Sequence, residues 1–325
     1  MRRGSARTRF FVMVGVMLSY VAVLILLPLA IPFDVNATEL SASLTPPGSE
    51  GHVLGCDSMG RDVLARTLAG GSESVLLGLA IMAVAVLVGC AVGLAAGFFG
   101  GAVDYVLSRV ITAFQAALMK LTTIFQAFPS FVLAVAIAGI LGQGTINMII
   151  AIAAVYWTQY ARLTRSIAIA FKQSECVSAA RMCGARAGAL MMRYFVPEMA
   201  GQVAVLSAVS MSDIVLTMAG LSFIVLGPAR PTNEWGAMMS EAQATFQYAL
   251  WCMLVPMAAL FITVVLFNLL GDTLRDALDV RTQAVSKRRF LRRRDKSANS
   301  EQGTSAVRSE CLSGKQGKHE DEERK

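Results

Sequence analysis

Long apolar stretches without any charged residue alternate along the chain with shorter charged segments. The first runs from Phe10 to Phe33, and the others occupy 74–103, 121–161 and 242–271. A helix needs about 20 apolar residues to cross the ~30 Å hydrocarbon core of a bilayer. The stretch 121–161 can therefore hold two spans, and each of the others can hold one. The pattern predicts an all-α integral membrane protein.

Turn residues at the ends of these stretches divide the chain into about six spans. The first is interpreted as a retained helix, because its apolar run exceeds the roughly 7–15 residues of a signal peptide's hydrophobic region. Pro129 and Pro256 lie inside the third and sixth spans and predict local kinks there. The predicted spans are 10–33, 74–98, 118–140, 146–163, 199–221 and 250–270.

Charge differences between the connecting segments predict the orientation. The N-terminal tail, the loop 162–198 and the C-terminal tail are rich in Lys and Arg, whereas 34–73 carries six acidic residues and two Arg. By the positive-inside rule, both termini and the 162–198 loop face the cytoplasm. The predicted organisation is a tail and first helix at 1–33, a periplasmic segment at 34–73, a transmembrane domain at 74–279 and a basic, disordered tail at 280–325.

Composition and motifs argue against an enzyme. Only 16% of the residues are charged and 55% are hydrophobic, which excludes an ordinary soluble domain. The two histidines, His52 and His319, are far apart, the six cysteines include no C-x-x-C pair, and no phosphate-binding P-loop occurs. We therefore expect no catalytic residue, metal or cofactor, and no nucleic-acid partner. The basic tail either binds anionic lipid or only fixes the topology.

The loop that follows the fourth span predicts a surface helix. Residues 175–184 read Glu-Cys-Val-Ser-Ala-Ala-Arg-Met-Cys-Gly, and Pro197 follows at the start of the next span. Small side chains would let such a helix seat in a groove of a partner protein, while Gly184 permits a break in the backbone. An ordinary amphipathic connector is the alternative interpretation.

Four further motifs accompany this loop in a fixed order. They are Leu54–Arg66 (LGCDSMGRDVLAR), Ala219–Gly227 (AGLSFIVLG), Pro231–Gly236 (PTNEWG) and Phe267–Asp279 (FNLLGDTLRDALD). With Ala179-Ala180-x-x-x-Gly184, they resemble the inner-membrane permease subunits of bacterial ABC importers, in particular the second-permease type of the peptide/nickel branch. The resemblance covers about 50–280. Ser178 stands where the loop motif of that family has Glu, and Cys56 stands where Thr is usual.

This resemblance implies a type I ABC importer permease fold with a cytoplasmic coupling helix in the loop at about 164–198, called the EAA loop. It also implies an inner-membrane location and the transport of small peptides or nickel. The implied partners are a second permease subunit in a heterodimer, ATP-binding subunits that hold the ATP, and a periplasmic or lipid-anchored solute-binding protein. The residues implied to contact the ATPase are Glu175, Ala179, Ala180, Arg181, Gly184 and Pro197.

Several alternatives stay open. Asp213 and Asn268 lie within or near predicted spans and either line the pathway or bond a neighbouring helix. Glu234 and Trp235 either contact a binding protein or belong to a packed loop. Gly89, Gly93 and Gly97 form either a close-packing face or a smooth lipid-facing stripe. An 11-residue repeat at 107–127 has no assigned role. The competing function is a secondary transporter driven by an ion gradient.

Overall fold

The computed structural model describes residues 2–30, 35–49, 51–98, 116–117, 119–184 and 190–278. Thr8–Leu274 form one compact unit, and a second combines 1–7 with 275–325, of which only the helix-end residues 2–7 and 275–278 are described. The helices are α1 (Arg2–Ala30), α2 (Val63–Phe98), α3 (Met119–Ala127), α4 (Ser130–Leu141), α5 (Thr145–Lys172), α6 (Glu175–Met182), α7 (Val196–Phe223), α8 (Trp235–Ala242) and α9 (Trp251–Leu278).

The described part of the chain contains helices and two isolated β-bridges but no β-strand, which confirms the predicted all-α class. Four segments in it are long and apolar enough to cross a membrane, and α3 with α4 gives a fifth if this bent pair is counted as one span. The four are Thr8–Pro28, Val63–Ala96, Arg193–Phe223 and Trp251–Leu278. The fourth predicted span, 146–163, corresponds to α5, which is not among these apolar candidates.

Helix α5 is less apolar because neighbouring helices cover it. It is 28 residues long, and it buries Tyr156, Tyr160, Thr158 and Thr164 together with small residues such as Ala151. A helix surrounded by protein needs no continuous lipid-facing apolar surface, since its hydroxyl groups can bond within the bundle. The Tyr156 and Thr217 hydroxyls, for example, lie 3.2 Å apart.

Helix boundaries extend beyond the predicted spans where charged residues find partners. Helix α2 begins at Val63 rather than near 74, and it includes Arg66 and Glu73, whose side chains are paired with other segments. Helix α5 also continues past 163 to Lys172, although Arg165 Nε in this extension is buried without a hydrogen-bond partner among the described residues. The first copy of the 11-residue repeat and the basic tail at 280–325 lie outside the described residues.

The predicted kink at Pro129 is a sharp bend. Helices α3 and α4 meet there at 99°. Proline has no N–H for the helical ladder, and its ring clashes with the preceding turn, so the helix stops and restarts. Leu133 N–H donates to Pro129 O at 3.1 Å, which makes Pro129 the first acceptor of α4. The third predicted span is therefore two helices. At Pro256, by contrast, α9 continues without a break from Trp251 to Leu278.

Glycines bring α2 and α5 into close contact. A Cβ atom on Gly89 would lie 2.5 Å from Trp157 O, and one on Gly93 would lie 2.5 Å from Ala161 O. Only residues without a side chain allow backbones to approach this closely. The close-packing interpretation is correct for these two positions, while the surroundings of Gly97 are not described.

The bundle has two ends that position the functional segments. At the first, which we call the Trp235 end, Gly144 N–H donates to Gly227 O at 3.1 Å, and Trp235 Nε1 donates to Thr67 O at 2.9 Å. At the opposite end, which we call the Phe195 end, α5 finishes and α7 begins around a cluster that includes Ile167, Ala168 and Phe195. The two ends carry different candidate sites.

Candidate functional site

A short surface helix, α6, follows α5 at the Phe195 end, as the sequence predicts. Ser174 begins it, because Ser174 O accepts from the N–H groups of Val177 at 3.1 Å and Ser178 at 3.2 Å. Val177 is buried and holds the helix to the bundle, while Glu175, Ser178 and Ala179 are exposed. The exposed face therefore consists of short side chains and one carboxylate.

The helix ends in a left-handed residue. Gly184 has φ +80°, and no atom of the described residues lies within 4 Å of the position that a Cβ would occupy. Ala180 is half-buried, and Met182 is 84% exposed. Glycine adopts this backbone conformation without steric cost, so the chain can turn sharply here. The exposed face of α6 is therefore a candidate surface for contact with another protein.

Aromatic contacts fix the base of the loop. The rings of Phe171 and Phe195 meet edge to face with centroids 5.4 Å apart, and Phe195 is fully buried. Met191–Phe195 form one turn of π-helix that leads into α7. Pro197 is the second residue of α7, where its missing N–H costs no hydrogen bond. The Phe171–Phe195 contact thus holds the end of α5 to the start of α7 at the base of the loop that contains α6.

The residues predicted to contact a partner differ in how they are presented. Glu175, Ala179, Gly184 and Pro197 are exposed, and Ala180 is half-buried. Arg181 belongs to α6 by its backbone, but its side chain lies outside the described part. Glu175 has no ion pair with a described side chain. Ser178, at the position of the family's Glu, donates from its hydroxyl to Ser174 O at 3.3 Å.

A buried cluster of four charged residues occupies the Trp235 end. Arg66 Nη1 donates to Asp57 Oδ2 at 2.7 Å and to Glu241 Oε2 at 3.1 Å. Arg61 donates from Nε to Asp57 Oδ2 at 2.7 Å and from Nη2 to Glu241 Oε2 at 2.6 Å. Buried charges are tolerated when each is paired and hydrogen-bonded. We call Asp57, Arg61, Arg66 and Glu241 the outer charge cluster.

The cluster joins two motifs that are far apart in the chain. Arg66 also donates from Nε to Asn233 Oδ1 at 3.0 Å and from Nη2 to Thr232 O at 3.2 Å. Glu73 accepts from the Thr232 hydroxyl at 3.0 Å and from Asn233 N–H at 3.2 Å. The start of α2 and the segment before α8 are therefore held as one rigid piece.

Glu234 and Trp235 are part of this packing. Both are fully buried, and Glu234 caps α8 by accepting from the N–H groups of Gly236 at 3.0 Å and Ala237 at 2.9 Å. Burial raises the pKa of Glu234, while these amide hydrogen bonds act in the opposite direction. The interpretation that either side chain directly contacts a binding protein is therefore wrong, and the packed-loop interpretation is correct.

Sequence reasoning missed the outer charge cluster. Asp57 and Arg61 carry opposite charges four residues apart, a spacing that indicates an ion pair within a helix. These two residues precede α2, so the helical rule does not apply to them. The partner Glu241 is 180 residues from Arg61. Pairing over such a separation depends on the fold and is invisible in one sequence.

Asp213 and Asn268 are exposed on α7 and α9. Neither side chain has a hydrogen-bond partner among the described residues, so a bond between helices of this chain does not explain them. Gly220, two turns from Asp213, packs against Phe131 at the start of α4. The face of α7 that carries Asp213 therefore adjoins the bend between α3 and α4.

Comparison with known proteins gives a consistent result. The family model described as "Binding-protein-dependent transport system inner membrane component" matches residues 85–284. The nickel transport system permease protein NikC of Escherichia coli (strain K12) is 37% identical over 253 residues, covering 77% of this chain and 86% of that protein.

Two further relatives are named as glutathione and oligopeptide permeases. The glutathione transport system permease protein GsiD of Pectobacterium atrosepticum is 34% identical over 248 residues, covering 76% of this chain and 79% of that protein. The oligopeptide transport system permease protein OppC of Haemophilus influenzae is 31% identical over 281 residues, covering 84% of this chain and 87% of that protein.

Proposed function

Because the chain belongs to the family of binding-protein-dependent inner membrane transport components, it is a permease subunit of an ABC importer, and we propose that it carries small peptides or nickel. It is not itself an enzyme, since hydrolysis of ATP belongs to a separate subunit. Its partners are an ATPase and a substrate-binding protein, and it resides in the inner membrane. The names of NikC, GsiD and OppC support the two substrate classes.

The single observation that carries the proposed mechanism is the presentation of α6. The helix exposes Ala179 and Glu175, follows α5, whose end is joined to the start of α7 by the Phe171–Phe195 ring contact, and is followed by the positive-φ turn at Gly184. A stiff helix seated in a groove of the ATPase would transmit the closure of that subunit to α5 and α7. Arg181 and Pro197 complete the proposed docking segment, and ATP is held by the partner alone.

Orientation and assembly form a second part of the proposal. Both termini face the cytoplasm, in keeping with the basic tails and the basic 162–198 loop. The Phe195 end is then cytoplasmic and the Trp235 end periplasmic. The other half of the pathway comes from a second, different permease chain, as the second-permease character of the motifs implies. Asp213 and Asn268 face that pathway or that chain.

ATP dependence separates this proposal from its competitor, an ion-driven secondary transporter. The chain is co-purified with its partner permease and ATPase subunits and reconstituted in liposomes with the binding protein. Uptake of ⁶³Ni²⁺ or of a labelled dipeptide is then followed. We expect uptake to need ATP and to be absent when the ATPase is omitted. Uptake by this chain alone, driven by a proton or sodium gradient, would refute the proposal.

Docking of α6 is tested with Gly184→Trp. A bulky side chain at this turn should leave membrane insertion intact but abolish ATP-driven uptake and stimulation of the ATPase. Gly184→Asn is the matched control, because Asn tolerates a positive φ and stays small. Wild-type uptake by the Trp variant would contradict the docking segment.

A further inference from the structure

Two helices carry polar side chains at one depth. Counted from the Trp235 end at ~1.5 Å per residue, Asp213 lies about 15 Å below Phe223 on α7, and Tyr156 lies about 16 Å below Thr145 on α5. Half of a ~30 Å hydrocarbon core is about 15 Å, so both residues lie near the middle of the membrane.

The break between α3 and α4 lies closer to the Trp235 end, beside Gly220 and about two turns of α7 from Asp213. With a bend of 99° at Pro129, the helical hydrogen-bond ladder is interrupted where no lipid group can replace it. Interrupted backbone at membrane depth is tolerated only where protein buries it or where it borders a water-filled cavity. The Phe131 ring packs on Gly220 of α7, which places the break beside the face that carries Asp213.

The carboxylate of Asp213 has no partner in the described part of the chain and is exposed. An Asp at the centre of a lipid-facing helix is disfavoured by about 2.5–3.5 kcal/mol on insertion scales, so such a group faces water or protein instead. Thr217 lies one helical turn from Asp213 on α7, and the Thr217 hydroxyl lies 3.2 Å from that of Tyr156.

We propose that the exposed carboxylate of Asp213 forms a mid-membrane site that binds the positively charged group of the solute as it passes, and that the buried Tyr156–Thr217 hydroxyl pair one turn away supports the adjoining wall of the bundle. The shared chemistry is a cation: the ammonium group of a peptide or a nickel ion. A carboxylate attracts either, and in the low dielectric of the bundle the attraction is stronger than in water. The inference rests on the proposed transport function and adds charge selection within the pathway.

Water access at Asp213 is the first test, and it does not depend on transport. In the assembled complex, the Asp213→Cys variant is treated with a water-soluble methanethiosulfonate, and labelling above that of the wild type is measured. Phe261→Cys is the control, because Phe261 is 68% exposed at about the same depth on α9. We expect at least tenfold faster labelling at position 213. Equally slow labelling at both positions would overturn the inference.

Charge selection is the second test. Asp213→Asn is compared with Asp272→Asn, an exposed acid outside the mid-membrane region, in ATP-driven uptake of ⁶³Ni²⁺, of Ala-Ala and of N-acetyl-Ala-Ala. We expect Asp213→Asn to lower uptake of the transported cationic probe at least tenfold through a raised KM, and the control to match the wild type. Loss with ⁶³Ni²⁺ identifies a nickel path, and loss with Ala-Ala but not its acetylated form identifies a peptide path.

The remaining outcomes are distinct. Wild-type KM values in Asp213→Asn overturn the inference and leave the transport function intact. Failure of Asp213→Asn to assemble with the second permease also overturns it, because Asp213 would then be a subunit contact. If the wild-type complex takes up none of the probes with ATP, the proposed function is wrong, and labelling at position 213 still decides whether the site faces water.

Discussion

Arg66 Nη1 and Asp57 Oδ2 lie 2.7 Å apart in a part of the molecule where both side chains are almost completely buried. This pair connects the first turn of α2 to the irregular segment before it. Because Arg66 also bonds Glu241, Asn233 and Thr232, one guanidinium group ties three stretches of chain together. The packing of the Trp235 end of the bundle therefore depends on the Arg66 guanidinium group.

Replacing Arg66 with Met should destabilise the protein strongly. Removing one partner of a buried ion pair leaves an uncompensated charge and costs about 3–5 kcal/mol. Arg230→Met is the matched control, since Arg230 is half exposed and its pairing with Glu241, at 3.8 Å, contributes about 0–1 kcal/mol. Thermal unfolding of the detergent-solubilised protein measures both. Equal melting temperatures for the two variants would show that the cluster carries little stability.

Gly93→Leu should separate α2 from α5. The added side chain would meet Ala161 O at 2.5 Å, a backbone atom that cannot move aside. Overpacking of this kind costs about 1–3 kcal/mol or more. Gly139→Leu provides the control, because nothing lies within 4 Å of a Cβ at Gly139 in α4. Folded yield and melting temperature should fall for the first variant only.

Phe195→Ala should loosen the base of the docking loop. Phe195 is fully buried against Phe171, and truncating a buried Phe costs about 3–5 kcal/mol. Its neighbour Tyr194 is 57% exposed, so Tyr194→Ala should change stability little. We also expect stimulation of the ATPase by the Phe195 variant to drop even where enough folded protein remains. Normal stimulation would show that the ring contact is not needed for coupling.

Ala179→Trp tests the docking face without straining the backbone. Ala179 is exposed on α6, so the indole should not disturb this chain but should obstruct a groove that receives the helix. Pull-down of the ATPase subunit should be lost, with membrane levels unchanged. Ala179→Ser keeps the side chain small and should bind normally. Retention of the ATPase by the Trp variant would place the contact elsewhere.

The sequence predicts those features that depend on local chemistry. Uncharged runs mark most of the long helices because lipid demands them, and Pro129 marks the bend because it cannot continue a hydrogen-bond ladder. The contact of Gly93 with α5 agrees with its four-residue spacing from Gly89. Docking of the segment 175–184 remains a prediction, since its partner is a separate chain.

Features that depend on distant partners could not be predicted. Helix α2 can start at Val63 because Arg66 is paired with Glu241 and Glu73 accepts hydrogen bonds from Thr232 and Asn233, all more than 150 residues away. The burial of Glu234 follows from the N–H groups of α8 that it caps. Asp213 is exposed because the other helices cover a different face of α7. The periodicity of one helix does not reveal which face its neighbours will cover.

The composition of the outer charge cluster also bears on entry into the bundle. Two guanidinium groups and two carboxylates within a few ångströms cancel, so the cluster projects little long-range field at the Trp235 end. A cationic solute arriving there would meet neither an electrostatic barrier nor a trap from these four groups. The outer charge cluster therefore stabilises the Trp235 end while exerting little net electrostatic force on an approaching cation.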